Sequence, residues 1–204
     1  MTFSSISIHS NLILKDECFT YRLATENDNV DETVKTVNDG YATVPYREPT
    51  APRTNTEEIR KLIADKDRRA LYIAVNNKDS SVCGTVKLYC EENNSDHACF
   101  GMFTVRPDLQ KRTKGVAARL LGLAEIVALQ AGFKSMKLDN FSNEKETHAY
   151  YERRGYRDCI GKREPVDQDY IRSISKPEYK EEKVEIIWME KELKADTISG
   201  GWNI

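Results

Sequence analysis

In KRTKGVAARLL (111–121), three cations, Lys111, Arg112 and Lys114, crowd into four residues ahead of a glycine and a run of small and apolar side chains. Helix starts usually carry Ser, Thr, Asp or Asn at the cap and acids in the first turn. A helix that begins on Gly115 after a strand instead presents bare backbone N–H groups and the positive end of its dipole. That is the chemistry of an anion site. Gly115 puts no Cβ in the path of a phosphate, Ala117 keeps the first turn low, and Lys111, Arg112 and Lys114 can add charge-assisted bonds. A diphosphate suits this geometry. The spacing matches neither G-x-x-x-x-G-K-[ST] nor G-x-G-x-x-G. Taken alone, a solvated basic loop is the commoner origin of such a stretch.

The elements that must position this stretch follow from periodicity. FTYRLAT (19–25) alternates like a strand, a helix is expected from about Val30 to Gly40, and TEEIRKLIAD (56–65) restarts a helix after a proline-rich segment. ALYIAVNN, SVCGTVKLYCE and ACFGMFTV (98–105) are separated by short turns and predict an antiparallel meander. After Pro107 the period changes: Val116, Leu120, Leu123 and Val127 give a broad apolar helical face ending near Gly132. SMKLDNF is a short strand and NEKETHAYYERR a helix, with Asn143 and Glu146 spaced as a capping box and Gly155 at its C-terminal stop. YRDCIGKRE and VEIIWMEKEL finish as strands around a polar loop at about 165–182. This order predicts an α/β (α+β) fold, a mixed, mostly antiparallel sheet of about six to seven strands flanked by about four helices. The expected organisation is an arm over 1–16, one domain over 17–194 and a loose tail over 195–204.

Composition excludes several classes of function. The 204 residues carry 31 Lys and Arg against 33 Asp and Glu, a formal charge of −2, so no global field draws nucleic acid or membrane. Three scattered histidines and five cysteines without a C-x-x-C pair predict no metal site and buried thiols in a reducing compartment. No leader-like segment and no membrane-length apolar run is present, so a cytoplasmic protein is expected, with the nucleus left open.

FTVRPDLQKRTKGVAARLL resembles motif A of the GNAT superfamily of acetyltransferases, and AYYERRGY (149–156) resembles the segment that follows it in that family. YRLATEND resembles its opening strand and turn, so the likeness covers roughly 19–193. It implies an acetyl-CoA-dependent N-acetyltransferase acting on a primary amine of a small molecule. Arg112, Thr113, Lys114, Gly115, Val116 and Ala117 would cradle the pyrophosphate, and Phe103, Thr104 and Val105 would offer backbone groups to the pantetheine arm. Tyr151 matches the tyrosine that protonates the departing thiolate in many members. Its neighbour Tyr150, about 100° around the helix, reads as a core residue.

Two positions depart from the family pattern. Pro107 and Gly115 stand two residues further apart than is common, so Gln110 or Arg112 fills the [R/Q] position. Where some members carry a basic Glu, this chain has Cys99, a thiol expected to stay neutral among Ala98, Phe100 and Gly101. Direct transfer is therefore expected, with the amine proton passing through water to Glu91 or His97. Asp96 and Asp139 are further candidates. The acceptor walls are expected in 41–55, which holds Tyr41, Tyr46, Arg47 and Glu48, and in 165–182, which holds Asp167, Asp169 and Tyr170. Alternatives are an acyl-CoA-binding module without catalysis, a protein N-terminal or lysine acetyltransferase and, more weakly, a nucleic-acid binder using 111–114. Monomer and homodimer are both open.

Overall fold

A computed structural model describes residues 8–65, 67–90, 96–110 and 115–202. The strands are β1 (Leu14–Lys15), β2 (Phe19–Leu23), β3 (Arg69–Asn76), β4 (Val82–Tyr89), β5 (His97–Val105), β6 (Ser135–Phe141), β7 (Arg157–Pro165) and β8 (Glu185–Glu192). The α-helices are α1 (Val30–Tyr41), α2 (Thr56–Ala64), α3 (Pro107–Gln110), α4 (Val116–Gln130), α5 (Lys145–Glu152) and α6 (Gln168–Ile174). All the strands join one sheet in the order β1-β2-β3-β4-β5-β6-β8-β7. Every neighbouring pair is antiparallel except β5 and β6. Among the described residues no helix is long and apolar enough to cross a membrane.

Central strands are buried on both faces, and β3 shows why. Ala70, Tyr72 and Ala74 point to one core with α4, while Leu71, Ile73 and Val75 point to a second with α1 and α2. The period of two thus serves two layers at once. Asn29 and Asn55 start α1 and α2 by accepting the N–H groups of Glu32 and Glu58 at 3.1 and 2.9 Å. Gly40 lets α1 lie directly on β5, because a Cβ there would stand 1.9 Å from Thr104 Oγ1.

Several expected features differ. The polar segment 165–182 contains α6, which Asp167 caps by accepting the N–H of Tyr170 at 2.9 Å. The predicted arm contributes Ile8 and β1: Ile8 is buried and its carbonyl accepts the Tyr72 hydroxyl at 2.7 Å. The predicted loose tail packs on α4, where Trp202 Nε1 donates to the Arg119 carbonyl at 2.9 Å and Ser199 is buried. Composition reads these ends as loose because their partners lie far away in sequence. The capping box is absent too: Glu144 holds the N-cap of α5, and Asn143 donates instead to Glu182 Oε2 at 2.9 Å.

Candidate active site

The parallel seam is short. β5 and β6 pair only at His97–Ser135, Ala98–Met136 and Cys99–Lys137, after which the strands part. Beyond Cys99, the edge of β5 facing β6 has no strand partner, and neither does the edge of β6 after Lys137. Buried backbone groups need partners, and an extended chain carrying amide groups has the chemistry to supply them along this wedge. A bulge enters β5 at the same place. The β4 register slips between Thr85 and Lys87, and Met102 takes a positive φ of 46°. The extra residue swaps the phase: Ala98 and Phe100 face the α4 core, Met102 faces α1 and α2, and Phe103 returns to the Phe100 side.

Gly115 stands at the N-cap of α4 with φ 113°, no side-chain cap and no acid in the first turn. The helix geometry leaves its first N–H groups without intrahelical acceptors. Gly115, Val116 and Ala117 thus present backbone donors at the start of α4. Arg112, Thr113, Lys114 and Lys111 lie outside the described residues. Gln110 Nε2 donates to the Val105 carbonyl at 2.9 Å, tying the end of β5 to the last residue of α3.

Tyr151 forms the other wall. Its ring stands on Phe100 at 5.7 Å and near Phe103 at 6.2 Å, and the side chain is buried. Its hydroxyl makes no hydrogen bond among the described residues. Burial, reinforced by Tyr41, Tyr150, Glu144 and Asp139, holds its pKa well above the ordinary phenol value, so it stays a donor. Tyr150 packs on Phe103 at 6.0 Å beneath the Arg154 guanidinium, 3.4 Å from its ring centroid. Burial pushes its phenol up to about 12 against the lowering effect of Arg154, and among the described residues its buried hydroxyl meets no hydrogen-bond geometry.

One carboxylate beside Tyr151 was not singled out from the sequence. Glu144 lies seven positions earlier, two turns along α5 and on the same face. Its Oε1 accepts the Tyr46 hydroxyl at 2.8 Å. Burial raises its pKa, against the lowering effect of Tyr46, Thr147 and Arg47, and Asp139 adds to the rise. The i, i+7 spacing of Glu144 and Tyr151 was the available signal.

The other candidates fall in several places. Tyr41, Tyr46 and Tyr170 gather on the Glu144 side: Phe141 lies 6.3 Å from Tyr46 and 6.4 Å from Tyr170. Residues 41–55 and α6 are stitched together by a bridge between Arg47 and Ser175. The acids of α6 are occupied elsewhere, Asp167 as its cap and Asp169 with Arg172. Glu48 accepts a hydrogen bond from Thr50. His97 opens β5 at the paired end of the seam, with Nδ1 3.3 Å from Lys137 Nζ. Asp96 lies just before it, 3.7 Å from Lys134, and Asp139 is exposed on β6. Glu91 lies outside the described residues. Cys99 is buried at the last rung of the seam, and no group of residues that could hold a metal occurs among the described residues.

The Acetyltransferase (GNAT) family matches residues 36–156, more than half of the sequence, and the chain belongs to that family. No curated protein matches significantly. Solved structures share the fold. A protein described provisionally as a phosphinothricin N-acetyltransferase is 18% identical with a TM-score of 0.63, over 86% of this chain and 99% of that one. A GNAT acetyltransferase from Elizabethkingia anophelis with acetyl-CoA bound is 13% identical with a TM-score of 0.58, over 87% and 100%. The ribosomal-protein-S18-alanine N-acetyltransferase from Escherichia coli is 12% identical with a TM-score of 0.60, over 85% and 94%.

Proposed function

We propose that this protein transfers the acetyl group of acetyl-CoA directly to a primary amine of a small molecule. The observation that carries the reading is the wedge between β5 and β6, which opens beside the bare start of α4 and is walled by Tyr151. The N–H groups of Gly115, Val116 and Ala117 suit a pyrophosphate, with Arg112, Thr113 and Lys114 beside them in sequence. The edge formed by Phe103, Thr104 and Val105, where Gln110 already holds the Val105 carbonyl, suits an amide-bearing arm. The bound thioester supplies the acetyl group and a thiol leaving group.

The amine nitrogen bonds to the acetyl carbon as the carbon–sulfur bond breaks. An ammonium of ordinary pKa costs about 4–5 kcal/mol to neutralise at pH 7, so a proton acceptor near the amine matters. Glu144 takes that role, directly or through a water, where the sequence alone offered Glu91 or His97. Its raised pKa makes it a stronger base than a solvated carboxylate. Tyr151 donates a hydrogen bond to the departing sulfur and then its proton. Cys99 forms no acetyl-enzyme.

Thiol release from acetyl-CoA across a panel of primary amines tests the reading, and binding of acetyl-CoA without turnover of any amine would favour a module that only holds acyl-CoA. Glu144→Gln should lower kcat/KM by about 10²–10³-fold. A base works only when deprotonated, so activity should rise with pH through the raised pKa of Glu144, and the variant should lose that limb. His97→Gln should keep it. Identical profiles for wild type and Glu144→Gln would reject the assignment.

The anion site has its own test. Gly115→Ala and Gly115→Glu impose the same strain at φ 113°, but only Glu adds negative charge. Glu should weaken acetyl-CoA binding at least about tenfold beyond Ala. Equal calorimetric affinities would mean that the phosphates bind elsewhere.

A further inference from the structure

The acceptor side of the slot is electrically two-sided. On the α5 side stand Glu144 and, towards solvent, Asp139. Near them, two guanidiniums share the Tyr41 ring, Arg47 at 5.6 Å and Arg53 at 5.4 Å from its centroid, and Arg47 also acts on Glu144. Arg47 is only 4% exposed, yet among the described residues its Nε has no partner and its Nη2 makes only long contacts to the Ala51 and Pro52 carbonyls, 3.4 and 3.5 Å. The residue bridged to it, Ser175, also has a buried hydroxyl without a partner. Antiparallel bridge partners send their side chains to the same face, so two unmet donors stand together.

A third cation adds to them. Lys87 forms no ion pair among the described residues and lies over the Tyr89 ring at 4.9 Å. Burial, then the like charge of Arg53, lower its pKa. Beside it Gly101 leaves room, since an added Cβ would touch only Lys87 Cε at 3.9 Å and Tyr89 Cε1 at 4.0 Å. The nearby carboxylate of Glu58 accepts the Thr54 hydroxyl at 2.8 Å and still acts on both Lys87 and Arg53 through its charge. Arg47 is buried and Arg53 and Lys87 half-buried, and none of them forms an ion pair among the described residues, although Glu144 acts on Arg47 and Asp139 on Lys87. The unmet donors of Arg47 and Ser175 are what a ligand anion would satisfy.

From this arrangement we infer that the acceptor is a small amino acid-type molecule, whose amine faces Glu144 and Tyr151 and whose carboxylate or phosphonate is held by Arg47, Arg53 and Lys87. The inference rests on the acetyltransferase reading for the role of the amine, but the anion subsite stands on its own contacts. Both guanidiniums flank the Tyr41 ring, and Tyr41 also lies within electrostatic reach of Tyr151 and Glu144. The amine and anion subsites therefore share Tyr41 as a common neighbour. A cationic amine lacking an anion would leave Arg47 and Arg53 unmet and be repelled by Lys87. A protein N-terminus, whose own carboxylate is an amide, would do the same.

The test uses matched series: α-amino acids, their carboxamides, the decarboxylated amines and aminophosphonates of the same skeleton. Thiol release gives kcat and KM, and calorimetry in the presence of CoA gives binding without turnover. The anionic members should exceed their carboxamides by about thirtyfold or more in kcat/KM, and the carboxylate and phosphonate series identify the anion. Arg53→Gln should raise KM for the anionic members at least about tenfold, leaving their kcat and the carboxamides nearly unchanged. Lys87→Met should act in the same direction. Both variants are at half-buried positions and avoid the buried Arg47, which the fold itself uses. Equal rates for acids and carboxamides, or an Arg53→Gln loss common to both, would overturn the subsite. Anion-dependent binding without thiol release would support the subsite and reject the transferase reading. No binding by any anionic member would reject the subsite.

Discussion

Replacing Tyr151 with Phe is expected to lower kcat by about two to four orders of magnitude while leaving the affinity for acetyl-CoA almost unchanged. The ring packs on Phe100, Phe103 and Tyr156, and Phe keeps that packing. Only the hydroxyl is lost, and among the described residues that hydroxyl serves no other group. A thiol of pKa near 8.5 leaves as a weaker base than tyrosinate, so the phenol is asked for a hydrogen bond first and a proton afterwards. The adjacent Tyr150→Phe is the control. Its hydroxyl is buried and unpaired, so removing it should cost no stability and change kcat less than about tenfold. Single-turnover measurements showing the larger loss in Tyr150→Phe would reverse the two assignments.

The second large effect concerns stability. Glu125 is wholly buried in the middle of α4. Its Oε1 accepts Lys191 Nζ at 2.9 Å, Tyr156 OH at 3.0 Å and Ser199 Oγ at 3.0 Å. Its Oε2 accepts Lys191 Nζ at 2.9 Å and the Ser199 N–H at 2.6 Å. Glu125→Leu would strand the buried Lys191 ammonium and release the segment that Ser199 anchors. A buried pair broken on one side costs about 3–5 kcal/mol, which for a chain of this length is roughly 6–20 °C in Tm. Adding Lys191→Met should restore most of the loss, because the isolated charge rather than the missing bridge dominates the cost. A double variant no more stable than Glu125→Leu alone, measured by thermal and urea unfolding, would refute that account.

Local signals made much of the fold legible. Asn29 and Asn55 mark the starts of α1 and α2 with the bonds that those residue types favour. Turn-punctuated apolar runs locate β3, β4 and β5 within a residue or two. Gly115 and the small residues after it locate the start of α4. What was not legible depends on distant partners. An acid at 125 and a lysine at 191 each break an apolar pattern, and only their meeting explains either. The strand phase reverses at Met102 because β4 slips there, which alternation within β5 alone does not encode. Glu144 was hidden behind a plausible capping box, while its actual partner, Tyr46, stands ninety-eight residues away. The cations of 41–55 and β4 converge only once Tyr41 brings Arg47 and Arg53 together.

The three-rung seam between β5 and β6 makes the sheet two blocks. They are fastened on one side by Arg47 and Ser175 and on the other by Glu125, Lys191 and Ser199. The unpaired edges face each other inside the molecule, where no second chain can reach them as it can an outer edge. Apart from the Val105 carbonyl, which Gln110 holds, these edges suit a guest thin enough to enter. On the proposed reading that guest is the co-substrate, which then serves as mortar as well as reagent. Cohesion would then be tied to supply: with the acyl carrier plentiful, mass action would hold the blocks together, and with it scarce, the same chains would open more often and meet proteolysis sooner.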